Sequence, residues 1–308
     1  MKKPPIHIAF CVNNLYADYI RVSIKGLLDN NDCPIMIHVL SDYISEKKKK
    51  ALVNLVGLYD NAHLNIVIVD DTKLRGLKDT WTIYTWYRVL LPEILDAGIH
   101  RVLYLDADVV VSGNIGDLFT LDMTDKAIAG TVDFQSKDPA TFDRCGYEME
   151  KQYICAGIML MNLDYWREHD IADKVVRWGR ENNDRIQFPD QDAINYICRD
   201  AKILLPLKYD IIDGYFHDDY YYKTYPKELK ECLESPVIIH YAGQAPWVVE
   251  LSKHLLQDEW DKYNKSLRKP VKKVYQSKGL LKFKVIMYRL LHPNTNMKRQ
   301  AVLNKLRS

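Results

Sequence analysis

Apolar residues are spaced in two ways along the first 105 positions of this chain. Four short runs are apolar at nearly every position: Ile6-His7-Ile8-Ala9-Phe10-Cys11-Val12, Ile35-Met36-Ile37-His38-Val39-Leu40, Leu64-Asn65-Ile66-Val67-Ile68-Val69 and Arg101-Val102-Leu103-Tyr104-Leu105. Runs of that length read as buried strands. Between the first two, apolar positions return at helical spacing from about Tyr16 to Leu28. A second helix is expected after Ser45 and Glu46, which can cap its N-terminus and complement its dipole. Strand, helix, strand, helix, strand predicts a largely parallel sheet with helices on both faces. After Asp133 the pattern loosens. Strands are expected at Ile128 to Val132, Gly157 to Asn162, Ala201 to Leu205 and Val237 to Tyr241, with helices near Ile171 to Asn182 and Gln191 to Cys198. The second half therefore reads as mixed rather than regularly wound.

Composition bounds this α/β reading to one enzyme-sized domain, with 308 residues that are 47% hydrophobic and 27% charged. The net charge of +2 hides an asymmetry. Residues 262–308 hold 14 Lys and Arg and no Asp or Glu, which leaves residues 1–261 with 29 basic and 41 acidic side chains, a formal charge of −12. A catalytic body over 1–261 and a basic, mostly helical tail over 262–308 are expected. The tail contains an apolar segment from Leu280 to Leu291, too short and too charged to span a bilayer but suited to lie on an anionic membrane surface. A plain solvated helix is the alternative, and nucleic acid is disfavoured because the body is acidic. The start of the chain carries neither a secretory signal nor a spanning helix, and six scattered cysteines lack any C-x-x-C pair. A cytoplasmic protein with reduced thiols, peripheral to the inner membrane face, is the expectation.

The fourth strand ends in Asp106-Ala107-Asp108. Ligands on parallel sheets sit beyond the carboxyl ends of the strands, and two carboxylates at i and i+2 of an extended segment point to one side. They can meet one Mg²⁺ or Mn²⁺ bridging diphosphate oxygens, or they are an exposed turn. An aspartyl-nucleophile phosphatase would place Thr two residues after the second Asp, where this chain has Val110. A nucleotidyltransferase would need a glycine-rich basic loop after the first strand, where this chain has Asn13-Asn14-Leu15-Tyr16. His240 ends the apolar run Val237 to Tyr241, either as a satisfied core histidine or as a nitrogen ligand that would favour Mn²⁺ over Ca²⁺.

With those residues placed, the chain resembles glycosyltransferase family 8, which includes bacterial lipopolysaccharide galactosyl- and glucosyltransferases and glycogenin. The resemblance runs in order through Phe10 to Tyr16, Tyr84 to Arg88, Tyr104 to Asp108, Ala156-Gly157 through Asn162-Leu163, Pro189 to Asp192, and His240 to Gly243 with Pro246-Trp247. It implies a GT-A fold, Mn²⁺ (or Mg²⁺) held by Asp106, Asp108 and His240, and transfer of a hexose, galactose or glucose, from a UDP-sugar to a carbohydrate or lipid-linked glycan acceptor with retention of anomeric configuration. It further implies that Arg88 holds the donor, that Asp133 and Asp190 bind sugar hydroxyls, and that Gln191 lies under the reacting face. Asn13, Asn14, Tyr16, Cys155, Ala156, Gly243 and Trp247 complete the implied substrate contacts.

The chain departs from the family pattern in three places. Asn13 and Asn14 stand where acidic residues are common, Cys155 stands where Asn usually precedes Ala-Gly, and Gln244-Ala245-Pro246-Trp247 lacks the usual diphosphate-binding lysine. A catalytically weak nucleotide-sugar-binding relative and a self-glucosylating primer are the alternatives to an ordinary transferase. The aromatic run Tyr215 to Tyr225 is either a sugar-stacking surface or a loop packed by its own rings.

Overall fold

A computed structural model of the chain describes residues 4–78, 80, 82–279, 281–282, 284, 287 and 295–307. The apolar tail segment singled out above falls largely outside the described residues. Ten strands occur: β1 (Ile6–Cys11), β2 (Ile35–Ser41), β3 (Ala62–Ile68), β4 (Arg101–Leu105), β5 (Val109–Val111), β6 (Ile128–Gly130), β7 (Ile158–Asn162), β8 (Lys202–Leu204), β9 (Ile211–Ile212) and β10 (Ile238–His240). The chain forms two compact units. The first comprises Met1–Ala17, Asn31–Ala107 and Ile115–Pro206, and the second Asp18–Asn30, Asp108–Asn114 and Leu207–Ser308.

The first unit is built on a seven-stranded sheet in the order β3-β2-β1-β4-β7-β6-β8. β3, β2, β1 and β4 are mutually parallel, and β7 runs antiparallel between β4 and β6. This is the mixed α/β sheet expected, parallel in its first half. The central strands are apolar at almost every position because both faces are covered: Ile8, Ala9, Phe10, Leu103 and Leu105 are fully buried. Edge strand β3 instead alternates, leaving Ile68 exposed. Helices of the same unit, Glu46–Val56, Leu163–Glu168, Ile171–Glu181 and Pro189–Ile197, flank the sheet.

The second unit holds a three-stranded sheet, β5-β10-β9, antiparallel on one side of β10 and parallel on the other. Helix Ile20–Asp29 crosses β5 closely. A Cβ at Gly26 would stand 2.5 Å from the carbonyl oxygen of Val111, so no larger residue fits without a shift. The composition break at Lys262 falls inside the helix Gln257–Ser266, where Tyr263 and Asn264 are buried. Asn30 Nδ2 donates to Tyr263 Oη at 2.8 Å, and Val274 bridges to Val248.

Three local expectations change. The helix expected from Tyr16 breaks into a 3₁₀ turn, Tyr16–Asp18, and a helix that begins at Ile20. Ser45 precedes a helix as expected, but its side chain makes no cap hydrogen bond. Asp106-Ala107-Asp108 is a turn joining β4 to β5 rather than an extended segment, because Val109 immediately opens a new strand against β10.

Candidate active site

In the first unit the site is centred on Arg88, in the 3₁₀ helix Ile83–Leu90. Residues Trp86 to Leu90 are all buried, so the end of this helix is enclosed on every side, and Arg88 is only 3% exposed. Its guanidinium is satisfied on every edge. Nη2 donates to Asp106 Oδ1 at 3.0 Å, Nε lies 3.0 Å from Asp190 Oδ2 and donates to the Thr85 carbonyl at 2.8 Å, and Nη1 donates to the Ala156 carbonyl. The guanidinium carbon sits 4.1 Å from the Tyr104 ring centre, and Tyr104 Oη donates to the same Asp106 oxygen at 2.6 Å. Burial pulls the Arg88 guanidinium down, but Asp106 and Asp190 outweigh it and leave its pKa above the ordinary value. Burial holds the Asp190 carboxyl above the ordinary carboxylate range, against the opposing pull of Arg88.

Gln191 follows Asp190 in the first turn of helix Pro189–Ile197. Both ends of its carboxamide are held: the Ala156 N–H donates to Oε1 at 2.8 Å and Nε2 donates to Asp133 Oδ2 at 3.2 Å. Asp133 Oδ1 caps its own turn through the Gln135 N–H at 2.7 Å. Arg88, Asp106, Asp133, Ala156, Asp190 and Gln191 thus form one connected polar network. Cys155 is buried beside it, its N–H donating to the Thr131 carbonyl at 3.0 Å. Asn13, Asn14 and Tyr16 lie after β1. Asn13 Oδ1 accepts from the Tyr16 N–H at 2.9 Å, and Asn14 Oδ1 accepts from the Ser45 N–H at 3.0 Å. Tyr16 is exposed.

In the second unit, His240 ends β10 and is 4% exposed. Its Nδ1 lies 2.9 Å from Asp210 Oδ1 and its Nε2 lies 3.5 Å from Asp108 Oδ1. A second buried histidine in this unit is different. His254 donates from Nε2 to the Ile211 carbonyl at 3.1 Å and accepts the Leu256 N–H at Nδ1, 3.0 Å away, and burial lowers its pKa. His254 is a satisfied core histidine, whereas His240 faces carboxylates through both nitrogens. A buried carboxylate costs several kcal/mol unless it is paired. Among the described residues no Lys or Arg pairs with Asp210, and its buried Oδ2 has no hydrogen-bond partner. The Asp108 carboxylate and the His240 imidazole are donor types that a divalent cation takes, and imidazole suits Mn²⁺, so these residues fit such an ion. Gly243, three residues on, has φ +70°, a conformation that favours glycine. Trp247 is 4% exposed and stacks face to face on Tyr19 at 3.9 Å. In the aromatic run, Tyr215 and Tyr221 are buried against each other and Tyr220 is exposed.

Sequence reasoning missed three participants. Tyr104 stands two residues before Asp106, and strand alternation could have paired them. Asp192 is fully buried and accepts from Tyr153 Oη at 2.6 Å, from Arg144 through two nitrogens at 3.1 Å each, and from the Gln187 and Phe188 N–H groups, which anchors the helix start that presents Gln191. Asp210 lies thirty residues before His240, and no local pattern links the two.

The model of the family described as "Glycosyl transferase family 8" matches residues 7–249. The chain is 24% identical over 253 residues to a lipopolysaccharide 1,2-glucosyltransferase of Escherichia coli, which covers 80% of this chain and 74% of that one. It is 26% identical over 257 residues to a lipopolysaccharide 1,3-galactosyltransferase of Salmonella typhimurium, covering 78% and 72%. Among solved structures, the galactosyltransferase LgtC in complex with donor and acceptor sugar analogs superposes with a TM-score of 0.75 at 24% identity, covering 91% of this chain and 100% of that chain. That similarity is one of fold.

Proposed function

The chain belongs to glycosyltransferase family 8, and from that premise we propose that it moves galactose or glucose from a UDP-sugar to a carbohydrate acceptor of a cell-surface glycan, with retention of anomeric configuration. The observation that carries this reading is the network in which Arg88 pairs with Asp106 and Asp190 while Gln191 is clamped between the Ala156 N–H and Asp133. It is a rigid, oxygen-rich surface of the kind that binds sugar hydroxyls and meets positive charge at an anomeric carbon.

In this reading Asp133 and Asp190 hold the hexose hydroxyls, Arg88 fixes Asp190 and Asp106 in place, and the Gln191 carbonyl oxygen faces the anomeric carbon. The residues that would hold a divalent cation are Asp106, Asp108 and His240. When bound, that ion supplies positive charge to the departing diphosphate. Asn13, Asn14, Tyr16, Cys155, Ala156, Gly243 and Trp247 line or support the donor site. A carboxamide is a poor nucleophile, and Asp190 is 4% exposed and ion-paired, so neither supports a covalent glycosyl intermediate. The same-face route fits better: the anomeric C–O bond to UDP breaks, the acceptor oxygen bonds to that carbon from the same side, and the acceptor proton passes to the departing phosphate oxygen.

Among the described residues no helix is long and apolar enough to cross a membrane. We assign the basic segment 262–308 to docking on an anionic membrane surface, which would bring a lipid-linked acceptor within reach. Exposed Val274, Tyr275, Leu281 and Met287 accompany its lysines and support this.

A thermal-shift series tests the donor. UDP-glucose or UDP-galactose with Mn²⁺ should raise the melting temperature by mass action, and GDP- and CMP-sugars should not. A preference for GDP- or CMP-sugars would remove the UDP-hexose assignment.

A further inference from the structure

His254 and His240 lie in the same unit and are both buried, yet the groups around them dictate opposite protonation. His254 Nδ1 accepts a backbone N–H, so its proton is on Nε2. His240 Nδ1 faces Asp210 Oδ1 at 2.9 Å. A carboxylate can only accept, and Asp108 Oδ1 stands 3.5 Å from Nε2, beyond ordinary hydrogen-bond range, so the proton of the neutral ring is on Nδ1. The lone pair of the neutral ring is then on Nε2, the nitrogen that faces Asp108. Asp210 is fully buried, begins the segment that leads into β9, and is held through its own N–H to the Leu207 carbonyl at 3.0 Å. β9 runs parallel to β10 with Ile212 opposite His240, so the sheet fixes the spacing of the two side chains.

We propose that Asp210 is a positioning residue that locks His240 in the Nδ1–H tautomer and aims Nε2 as a ligand atom beside Asp108, making the pair a cation-binding unit. The inference rests on the metal reading given under Proposed function and adds to it the residue that sets the ligand's orientation. One observation, the full burial of Asp210 with Oδ2 lacking a hydrogen-bond partner, and one general property of such pairs support it beside the short Nδ1–Oδ1 distance. A buried carboxylate met only by a neutral imidazole is costly, and a cation on the far nitrogen offsets that cost by drawing positive charge into the ring. The same carboxylate–histidine arrangement orients metal-bound imidazoles and raises their basicity.

The test uses the full chain and two readouts. Long-range ¹H–¹⁵N spectra of metal-free, ¹⁵N-histidine-labelled wild type at pH 8 should show His240 protonated on Nδ1 and unprotonated on Nε2. Asp210→Asn, which can turn its amide N–H toward Nδ1, should shift His240 toward the opposite tautomer. Titrating Mn²⁺ into both proteins, with free ion followed by electron paramagnetic resonance, should show affinity about 10- to 100-fold weaker in Asp210→Asn. A wild-type His240 protonated on Nε2 overturns the inference whether or not the variant folds. Wild-type Mn²⁺ binding that Asp210→Asn leaves within about twofold overturns this inference alone. A wild-type chain that binds no Mn²⁺ overturns the metal reading and this inference with it.

Discussion

Arg88 and His240 are both nearly buried, and each faces two carboxylates, but the fold balances the two clusters differently. Around Arg88 the chain supplies its own permanent cation, so Asp106 and Asp190 each have a fixed partner within 3.0 Å. Around His240 the chain supplies an imidazole between Asp108 and Asp210, and no Lys or Arg among the described residues pairs with Asp210. The first cluster carries its own permanent cation, and in the proposed reading it serves as a polar floor under the sugar. The second has no permanent cation among the described residues, and in the proposed reading a bound divalent ion would supply that charge beside the departing diphosphate.

Breaking the first cluster should give the largest effect. Arg88→Ala leaves buried Asp190 without its cation and half-buried Asp106 with Tyr104 but no guanidinium, and should lower stability by about 3–5 kcal/mol in urea denaturation, with no recovery on adding Mn²⁺. Recovery by Mn²⁺ would show that the two clusters are not of different kinds. Next in size, Asp108→Ala and His240→Ala should each cut UDP release from the donor by roughly 10²–10³-fold. Without metal, Asp108→Ala should unfold close to wild type, whereas His240→Ala, which leaves buried Asp210 without its imidazole partner, should unfold at a lower temperature. Full activity of wild type in EDTA would contradict the division drawn here.

A buried imidazole without a carboxylate sharpens the contrast. His38 lies on β2, with His7 Nδ1 at 3.0 Å from its Nε2 and the Asn65 amide nitrogen at 3.4 Å from its Nδ1. Burial, with a smaller contribution from His7, pushes its pKa down to about 4. The folded chain therefore favours neutral His38. That stability is fully present above the ordinary histidine value of about 6.5 and is lost as pH falls from there through about 4, by at most about 1.4 kcal/mol per pH unit. His38→Gln should flatten the acid limb of the stability curve over that window. Equal slopes for the two proteins would mean that His38 does not control it.

The smallest effects per residue should lie in the basic segment. Lys278, Lys282 and Lys284 are exposed, and reversing all three to Glu should weaken co-sedimentation with anionic liposomes by about 1 kcal/mol per cation removed at low salt. Lys262 and Lys273 are instead paired with Glu259 and Asp261 and should matter less. Unchanged sedimentation of the triple variant would remove this segment from membrane docking.

The legible parts of the fold were those whose apolar run was long and unbroken. β4 matches its expected bounds end to end, and β1, β2, β7 and β10 lie within a residue of theirs. β5 and β9 were not legible: three valines directly after a turn look like a continuation of β4, and a two-residue strand carries no period. The individual residues of the polar floor could be proposed because they fall in recognisable segments. Their connections could not, since Arg88 reaches Asp190 and Ala156 through tertiary packing alone. Asp210 was invisible for the same reason, because its tie to His240 exists only once β9 and β10 pair.

The account turns on same-face hexose transfer from a UDP-sugar, and one measurement addresses it directly: ¹H NMR of the full chain with UDP-glucose or UDP-galactose and Mg²⁺ or dilute Mn²⁺. The account predicts that the anomeric signal of the product, transferred or hydrolysed, first appears as α, with the small coupling shared by the donor. A β signal appearing first, or no donor consumption with either ion, would contradict it.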